Sequence, residues 1–251
     1  MSVSTRKSPP LSGAYAAPAL EKGLDILELL ADEPNGLTQS QIADRLDRSN
    51  PEIFRMLVCL QRRGYLRRVS PGETFELSAK LFELSHRHPP TRSLLDSALP
   101  VLRSLAGKAQ QSCHLAIEYE KELLIIASAE GPGPRSFSVR IGARFQMDLT
   151  ASGMVLLAWR EELRDLSDDL RPRLERVRRR GFEQHRSKTV HGVIDLSFPV
   201  RDGRNEVIAA ITIPYLASRA PDVMSVDETR SHLARSAEEL SHLLGHPSEI
   251  A

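Results

Sequence analysis

The hydrophobic pattern changes period once in the first third of the chain, at Gly64, and few small folds accommodate that change. Before it, three short segments repeat their apolar residues at helical spacing. Leu20, Leu24, Leu27 and Leu30, with Ile26 and Leu29 beside them, fit one helix face that stops at Pro34-Asn35-Gly36. Thr38 suits the N-cap of a second helix with Ile42, Ala43 and Leu46 inward. Asn50 with Pro51 opens a third, which carries Ile53, Phe54, Met56, Leu57 and Leu60. After Gly64 the period becomes two. Tyr65 to Val69 reads as a strand, Ser70-Pro71-Gly72-Glu73 as a turn, and Thr74 to Leu77 as the return strand. Three helices and a hairpin predict a winged helix-turn-helix.

The arginines fall on that unit. Arg45, Arg48, Arg55, Arg62, Arg63, Arg67 and Arg68 are opposed within their own stretch only by Asp47 and Glu52, so seven minus two leaves +5. The whole chain is only +1, from 34 Lys plus Arg against 33 Asp plus Glu. Local clustering, not net charge, is therefore what points to nucleic acid. Arginine makes bidentate contacts to guanine and phosphate. The recognition-helix candidates for base edges are Asn50, Glu52 and Arg55, with Glu52 accepting from a cytosine or setting Arg55. Arg45 and Arg48 flank the helix start. Arg67, Arg68 and Thr74 in the wing are expected on the DNA backbone or minor groove. The competing reading makes these arginines solvated helix faces, with Arg62 and Arg63 compensating a helix dipole.

Further along, a segment from Ser78 to His86 looks helical, and a longer helix is expected from about Ser93 to Gln110, broken or kinked at Pro100. From Ser112 the pattern mixes strands and helices. Strands are expected at Cys113 to Glu118, Glu122 to Ala127, Arg135 to Ile141, Val193 to Val200 and Glu206 to Pro214. Thr150 to Gly153 opens an apolar helix, residues 160–181 read as a charged helical stretch restarting at Pro172, and Ser225-x-x-Glu228 caps a last helix. The expected division is a flexible tail over 1–17, a winged helix-turn-helix domain over 18–88, a linker helix over 89–110 and a sensing domain over 111–251, an α+β chain overall.

The longest apolar run, Met154 to Trp159, is far short of the roughly 20 residues of a membrane span. Arg6 and Lys7 precede no apolar stretch, and Cys59 and Cys113 make no disulfide framework, so a reducing cytoplasmic setting is expected and no membrane partner.

The ordered motifs resemble one family. Leu20-x-Lys22-x-Leu24-x-Ile26-Leu27-x-Leu29-Leu30, Leu37-Thr38 with Ile42-Ala43, and Arg55-x-Leu57-x-x-Leu60-x-x-Arg63-Gly64-Tyr65-Leu66 are similar to the DNA-binding domain of IclR-type bacterial transcription regulators. Val139-Arg140-Ile141-Gly142, Thr150-Ala151-Ser152-Gly153, Arg179-x-Gly181-Phe182, Gly192-Val193, Pro199-Val200 and Ala209-Ala210-Ile211-Thr212 follow the family's effector domain in order. The resemblance spans roughly residues 18–245. It implies a GAF-like effector-binding domain and a homodimer or tetramer that pairs two heads on an operator in double-stranded DNA.

Strand alternation over Val193 to Val200 puts Ile194, Leu196, Phe198 and Val200 on one face and His191, Val193, Asp195 and Ser197 on the other. A mixed polar face suits a small molecule. The resemblance places Asp195 and Thr212 where family members contact effectors, and matches Thr150, Ala151, Ser152 and Gly153 to the loop whose helix N–H groups suit a carboxylate. Several members carry Ser or Cys where Asp195 stands, and Ser where Pro214 stands. An acidic side chain favours a ligand with hydroxyl or amine donors, so the expected effector is a hydroxylated or carboxylic catabolic metabolite. His114 joins this set, and His114, His191 and Asp195 together offer the ligand types of a divalent metal, although no spacing motif supports one and no cofactor is required. Two alternatives stand beside this reading. One is a ligand-binding module whose winged helix contacts protein. The other is a hydrolase built on His191, Asp195 and Ser197, against which parallel strand side chains and the lack of a G-x-S-x-G elbow both count.

Overall fold

In a computed structural model, residues 17–69, 73–87, 89–132, 137–160, 169–188, 190–216 and 224–247 are described. Residues 1–16 of the expected tail over 1–17, residues 70–72 of the expected turn, the first residues of the strand expected from Arg135, and residues 161–168 of the charged stretch lie outside them. The chain forms two compact units, Met1–His88 and Pro89–Ala251.

The first unit runs α1 (Pro18–Ala31), α2 (Gln39–Leu46), α3 (Asn50–Arg62), β1 (Leu66–Val69), β2 (Thr74–Leu77) and α4 (Lys80–Arg87). β1 and β2 pair antiparallel, and Leu37 bridges Phe75, which ties the entrance of α2 to the hairpin. One cluster closes the unit: Ile26, Leu30, Leu37, Ile42, Ala43, Ile53, Leu57, Leu66 and Phe75. Removing a side chain such as Leu57, fully buried, costs about 2–5 kcal/mol. Gly36 has φ +63°, and a Cβ there would stand 2.6 Å from the Phe75 carbonyl oxygen, so only glycine fits where this turn meets the hairpin.

Three expectations shift here. On α1 the buried residues are Gly23, Ile26 and Leu30, while Leu20 and Leu24 are exposed, so the inward apolar stripe is narrower than the leucine pattern implied. The N-cap of α3 is Ser49, not Asn50, because Ser49 and Glu52 close a reciprocal capping box. Phe54, expected among the apolar core positions of α3, is 54% exposed.

The second unit is built on a six-stranded antiparallel sheet with strand order β5-β4-β3-β8-β7-β6. The strands are β3 (Cys113–Tyr119), β4 (Glu122–Ala129), β5 (Arg144–Gln146), β6 (Glu183–Arg186), β7 (Val193–Arg201) and β8 (Val207–Leu216). α5 (Pro89–Ala109) and α8 (Val226–Leu243) cover one face through Leu102, Leu105, Leu233 and Leu240, against Leu115, Leu196, Val200 and Ile211. α6 (Ala151–Ala158) and α7 (Arg171–Arg180) cover the other through Met154, Val155, Leu174 and Val177, against Ala116, Leu123, Ile125 and Ala210. Ile194 and Phe198 join Leu196 and Val200 on the α5/α8 side, as the alternation of β7 implied.

The segment expected as a linker helix is α5. It runs without interruption through Pro100, and its buried Ala98, Val101, Leu102 and Leu105 make it part of the second unit's core. Residues 137–141 form no strand. The chain turns at Gly142, whose N–H donates to Ile125 O, and the edge partner of β4 is the three-residue β5. β6 was not expected at all.

Candidate nucleic-acid interface and buried polar site

In the first unit, ion pairs sort the arginines into two sets. Arg45 pairs with Glu33 at 2.9 Å, Arg67 with Glu76 at 2.7 Å and Arg68 with Glu73 at 2.9 Å. Arg68 also lies over the Phe75 ring at 5.8 Å. Arg45 and the wing arginines Arg67 and Arg68 are thus paired with carboxylates from outside the stretch that the charge count covered. Arg48, Arg55, Arg62 and Arg63 are exposed and have no ion-pair partner among the described residues. Arg48 lies between α2 and α3, and the other three lie on or beside α3, so the uncompensated charge is concentrated on one helix and its entrance. Asn50 is exposed at the first turn of α3, where its carbonyl accepts from Gln39 Nε2. Thr74 is half-buried opposite Val69 in the hairpin.

Glu52 does not fit the base-reading role. Its Oε2 accepts from Ser49 N at 3.2 Å and from Ser49 Oγ at 2.7 Å, and its Oε1 accepts from Lys22 Nζ at 2.7 Å. The Lys22 ammonium, then the Ser49 hydroxyl, holds the carboxyl at about 2. Both oxygens are committed, and Glu52 ties α1 to the start of α3. Lys22 is the residue the sequence could not supply, being 30 positions away.

In the second unit the register sets three polar side chains in a row. His114 on β3 is the ladder partner of Thr212 on β8, which is the partner of Ser197 on β7. α6 brings Ser152 onto the row. Ser152 Oγ is 2.8 Å from Thr212 Oγ1, Thr212 Oγ1 donates to Ser197 Oγ at 2.8 Å, and Ser197 Oγ donates to Ile211 O at 3.4 Å. All four side chains are buried. Following the donors back, Ser152 donates to Thr212 and accepts from His114 Nε2 at 3.5 Å, which assigns the proton of a neutral imidazole to Nε2. Nδ1 is then an acceptor with no donor among the described residues. Burial lowers the His114 pKa to about 4, so the ring is neutral at neutral pH. Ser197, expected on the mixed polar face of this strand and in the hydrolase alternative, completes this chain.

Thr150 caps α6, its Oγ1 accepting from Gly153 N at 3.0 Å. Ala151, Ser152 and Gly153 are buried, and a Cβ on Gly153 would stand 2.1 Å from Met147 O. One first-turn N–H expected to be free for a carboxylate is thus already satisfied.

Asp195 lies opposite His185 of β6. Its Oδ2 is 4.0 Å from His185 Nε2, and His185 Nδ1 is 3.0 Å from Glu183 Oε1. Burial raises the Asp195 pKa, against the lowering effects of a Ser187 hydrogen bond and of His185. His191, expected on this strand face, stands exposed in the turn before β7. The set His114, His191 and Asp195 is therefore not assembled, and among the described residues no three His, Cys, Asp or Glu side chains are placed to hold a metal ion. The hydrolase arrangement fails for the same reason: Ser197 bonds Thr212 and Ile211 O, while Asp195 faces His185.

A winged helix with unpaired arginines at its third helix, followed by a sheet domain with a buried polar row, defines a two-domain DNA-binding regulator. Two family models match the chain: the IclR helix-turn-helix domain over residues 19–70 and the bacterial transcriptional regulator IclR C-terminal domain over residues 90–242. The chain belongs to the IclR family of DNA-binding transcriptional regulators. It is 27% identical over 248 residues to the HTH-type transcriptional regulator XynR of Escherichia coli, covering 92% of this chain and 98% of that one. It is 27% identical over 213 residues to KdgR of Dickeya chrysanthemi, covering 77% and 69%. Among solved structures, the Thermotoga maritima IclR has a TM-score of 0.71 at 22% identity, covering 90% of this chain and 98% of that one. An IclR homologue of Microbacterium hydrocarbonoxydans complexed with 4-hydroxybenzoate has a TM-score of 0.76 at 20% identity, with the same coverage. No helix among the described residues is long and apolar enough to cross a membrane.

Proposed function

We propose that this regulator reads operator DNA with α3 and that a small metabolite bound on the polar face of β3, β8 and β7 controls that binding. Asn50 and Arg55 take base edges in the major groove. Arg48 and Arg45 hold phosphates at the entrance of the helix, and Arg67, Arg68 and Thr74 hold the backbone beside the hairpin. The observation that carries this reading is the contrast in pairing: wing arginines are fixed by carboxylates, while Arg48 and Arg55 are left without counter-charge at the helix that enters the groove. A homodimer or tetramer supplies the second head.

The effector is a hydroxylated or carboxylic metabolite of small size. A ligand hydroxyl that donates to His114 Nδ1 satisfies the one buried acceptor of the row that has no donor. Ser152 and Thr212 lie alongside, and Asp195 receives a further donor. The hydroxylated aromatic acid in the Microbacterium homologue is of this class. Neither DNA nor effector binding requires a cofactor in this reading, and chelator is one arm of the effector test.

Fluorescence anisotropy of the full chain on duplexes selected from a random-core library tests the DNA half. Arg55→Ala brings selected and scrambled duplexes close to equal affinity, whereas undiminished discrimination removes α3 from base reading. A thermal-shift panel of hydroxylated and plain aromatic and aliphatic acids, with and without divalent metal or EDTA, tests the other half. A ligand at a hundred times its Kd adds about 2.7 kcal/mol to the native chain, and Thr212→Val and His114→Leu lose the response. A hit that both variants retain places the effector elsewhere.

A further inference from the structure

The outward face of α3 is not uniformly charged. Phe54 is 54% exposed and Val58, one turn on, is 47% exposed, with exposed Pro51 a turn before them. At 3.6 residues per turn Pro51, Val58, Arg55 and Arg62 fall within about 60° of one another on the side away from the buried Ile53 and Leu57, and Phe54 borders that stripe next to Val58. An α-helix with its side chains nearly fills the major groove, so outward residues in the first turns of a groove-bound helix meet base edges. The one apolar group displayed there is the C5-methyl of thymine.

The geometry points to Phe54 as a specificity residue that seats a thymine methyl, with Val58 extending the apolar contact and Arg55 beside it on a neighbouring base or phosphate. This inference rests on the proposed reading of DNA by α3. Charge decides the occupant of the stripe. Arg48, Arg55, Arg62 and Arg63 lack ion-pair partners among the described residues, so they complement a polyanion. A second copy packed stripe against stripe would set arginine against arginine. Among the apolar residues that the sequence groups on α3, Ile53 and Leu57 are buried while Phe54 is turned out.

The probe is a duplex selected by the full chain from a random-core library, with each thymine in turn replaced by uracil, which removes only the methyl group. Native protein loses about fourfold in affinity at one or two positions, the effect of one buried methyl-sized group. Phe54→Ala binds the thymine and uracil forms of those positions equally, and Phe54→Leu restores part of the difference. Because the native protein is measured against modified DNA, the result does not depend on a variant folding. A selected duplex with no methyl effect at any position overturns this inference alone, as does a Phe54→Ala protein that keeps the native thymine preference. A library from which nothing is enriched overturns the reading of DNA by α3, and this inference with it.

Discussion

His114 is the residue whose environment does most to set behaviour in solution. Its pKa is lowered from 6.5 to about 4 by burial, so the folded protein resists the protonation that the unfolded chain accepts. Stability from this group is complete above pH 6.5 and is lost as pH falls towards 4, about 3 kcal/mol in all. Asp195, raised by burial, works in the opposite direction and gains as pH falls through its folded pKa. Urea unfolding of His114→Gln in an Asp195→Asn background should show a flatter curve between pH 6.5 and 4 than Asp195→Asn alone. An unchanged slope would mean that the ring is not desolvated. Gly153 makes a harder demand: Gly153→Ala drives a Cβ into Met147 O, and the variant should lose several kcal/mol or fail to fold, read by its Tm. His114, Thr212 and Ser152 were legible as a set, the first two from strand alternation and family register, the third from the loop that opens α6. Glu52 was not, because its partner Lys22 lies in another helix and an isolated acid in an arginine cluster reads equally well as a base contact.

Among the elements, α3 holds Arg55, Arg62 and the exposed Asn50, and its cap is open to test. Ser49→Ala removes the N-cap hydroxyl and the reciprocal bond to Glu52, costing about 1 kcal/mol in chemical unfolding. α3 also carries its own probe. Cys59 is exposed on it, whereas Cys113 is buried under α5, where burial pushes its thiol up to about 12. A maleimide should modify one thiol per native chain, and bound operator duplex should slow that reaction severalfold. Two reactive thiols, or no protection by duplex, would place α3 differently. The helices of the first unit were readable because each has apolar spacing and a punctuating Thr38, Gly64 or Pro34. β6 was not, since Glu183-Gln184-His185-Arg186 carries no apolar alternation and exists only because β7 offers it an edge. The opposite error, the strand expected from Arg135, has alternation but no ladder: β4 finds its partner later, at Arg144–Gln146. Pro100 reads as a break or a kink, and of these the break does not occur: the packing of Ala98, Val101 and Leu102 keeps α5 whole across it.

For the whole molecule, the division of labour between units rests on what each buries and what each leaves charged. The second unit spends its polar side chains inward, on the row His114, Thr212 and Ser197, which exists only because three strands meet in register. The first leaves four arginines outward without ion-pair partners among the described residues. The most direct measurement is therefore the salt dependence of binding between the full chain and a selected duplex. Placing Arg45, Arg48, Arg67 and Arg68 on phosphates sets a slope of log affinity against log salt of about −4 for each head engaged. Arg48→Ala should make that slope shallower by about 1 per head with sequence preference retained. A slope near zero, or one that Arg48→Ala leaves unchanged, would contradict the assignment of this face to DNA.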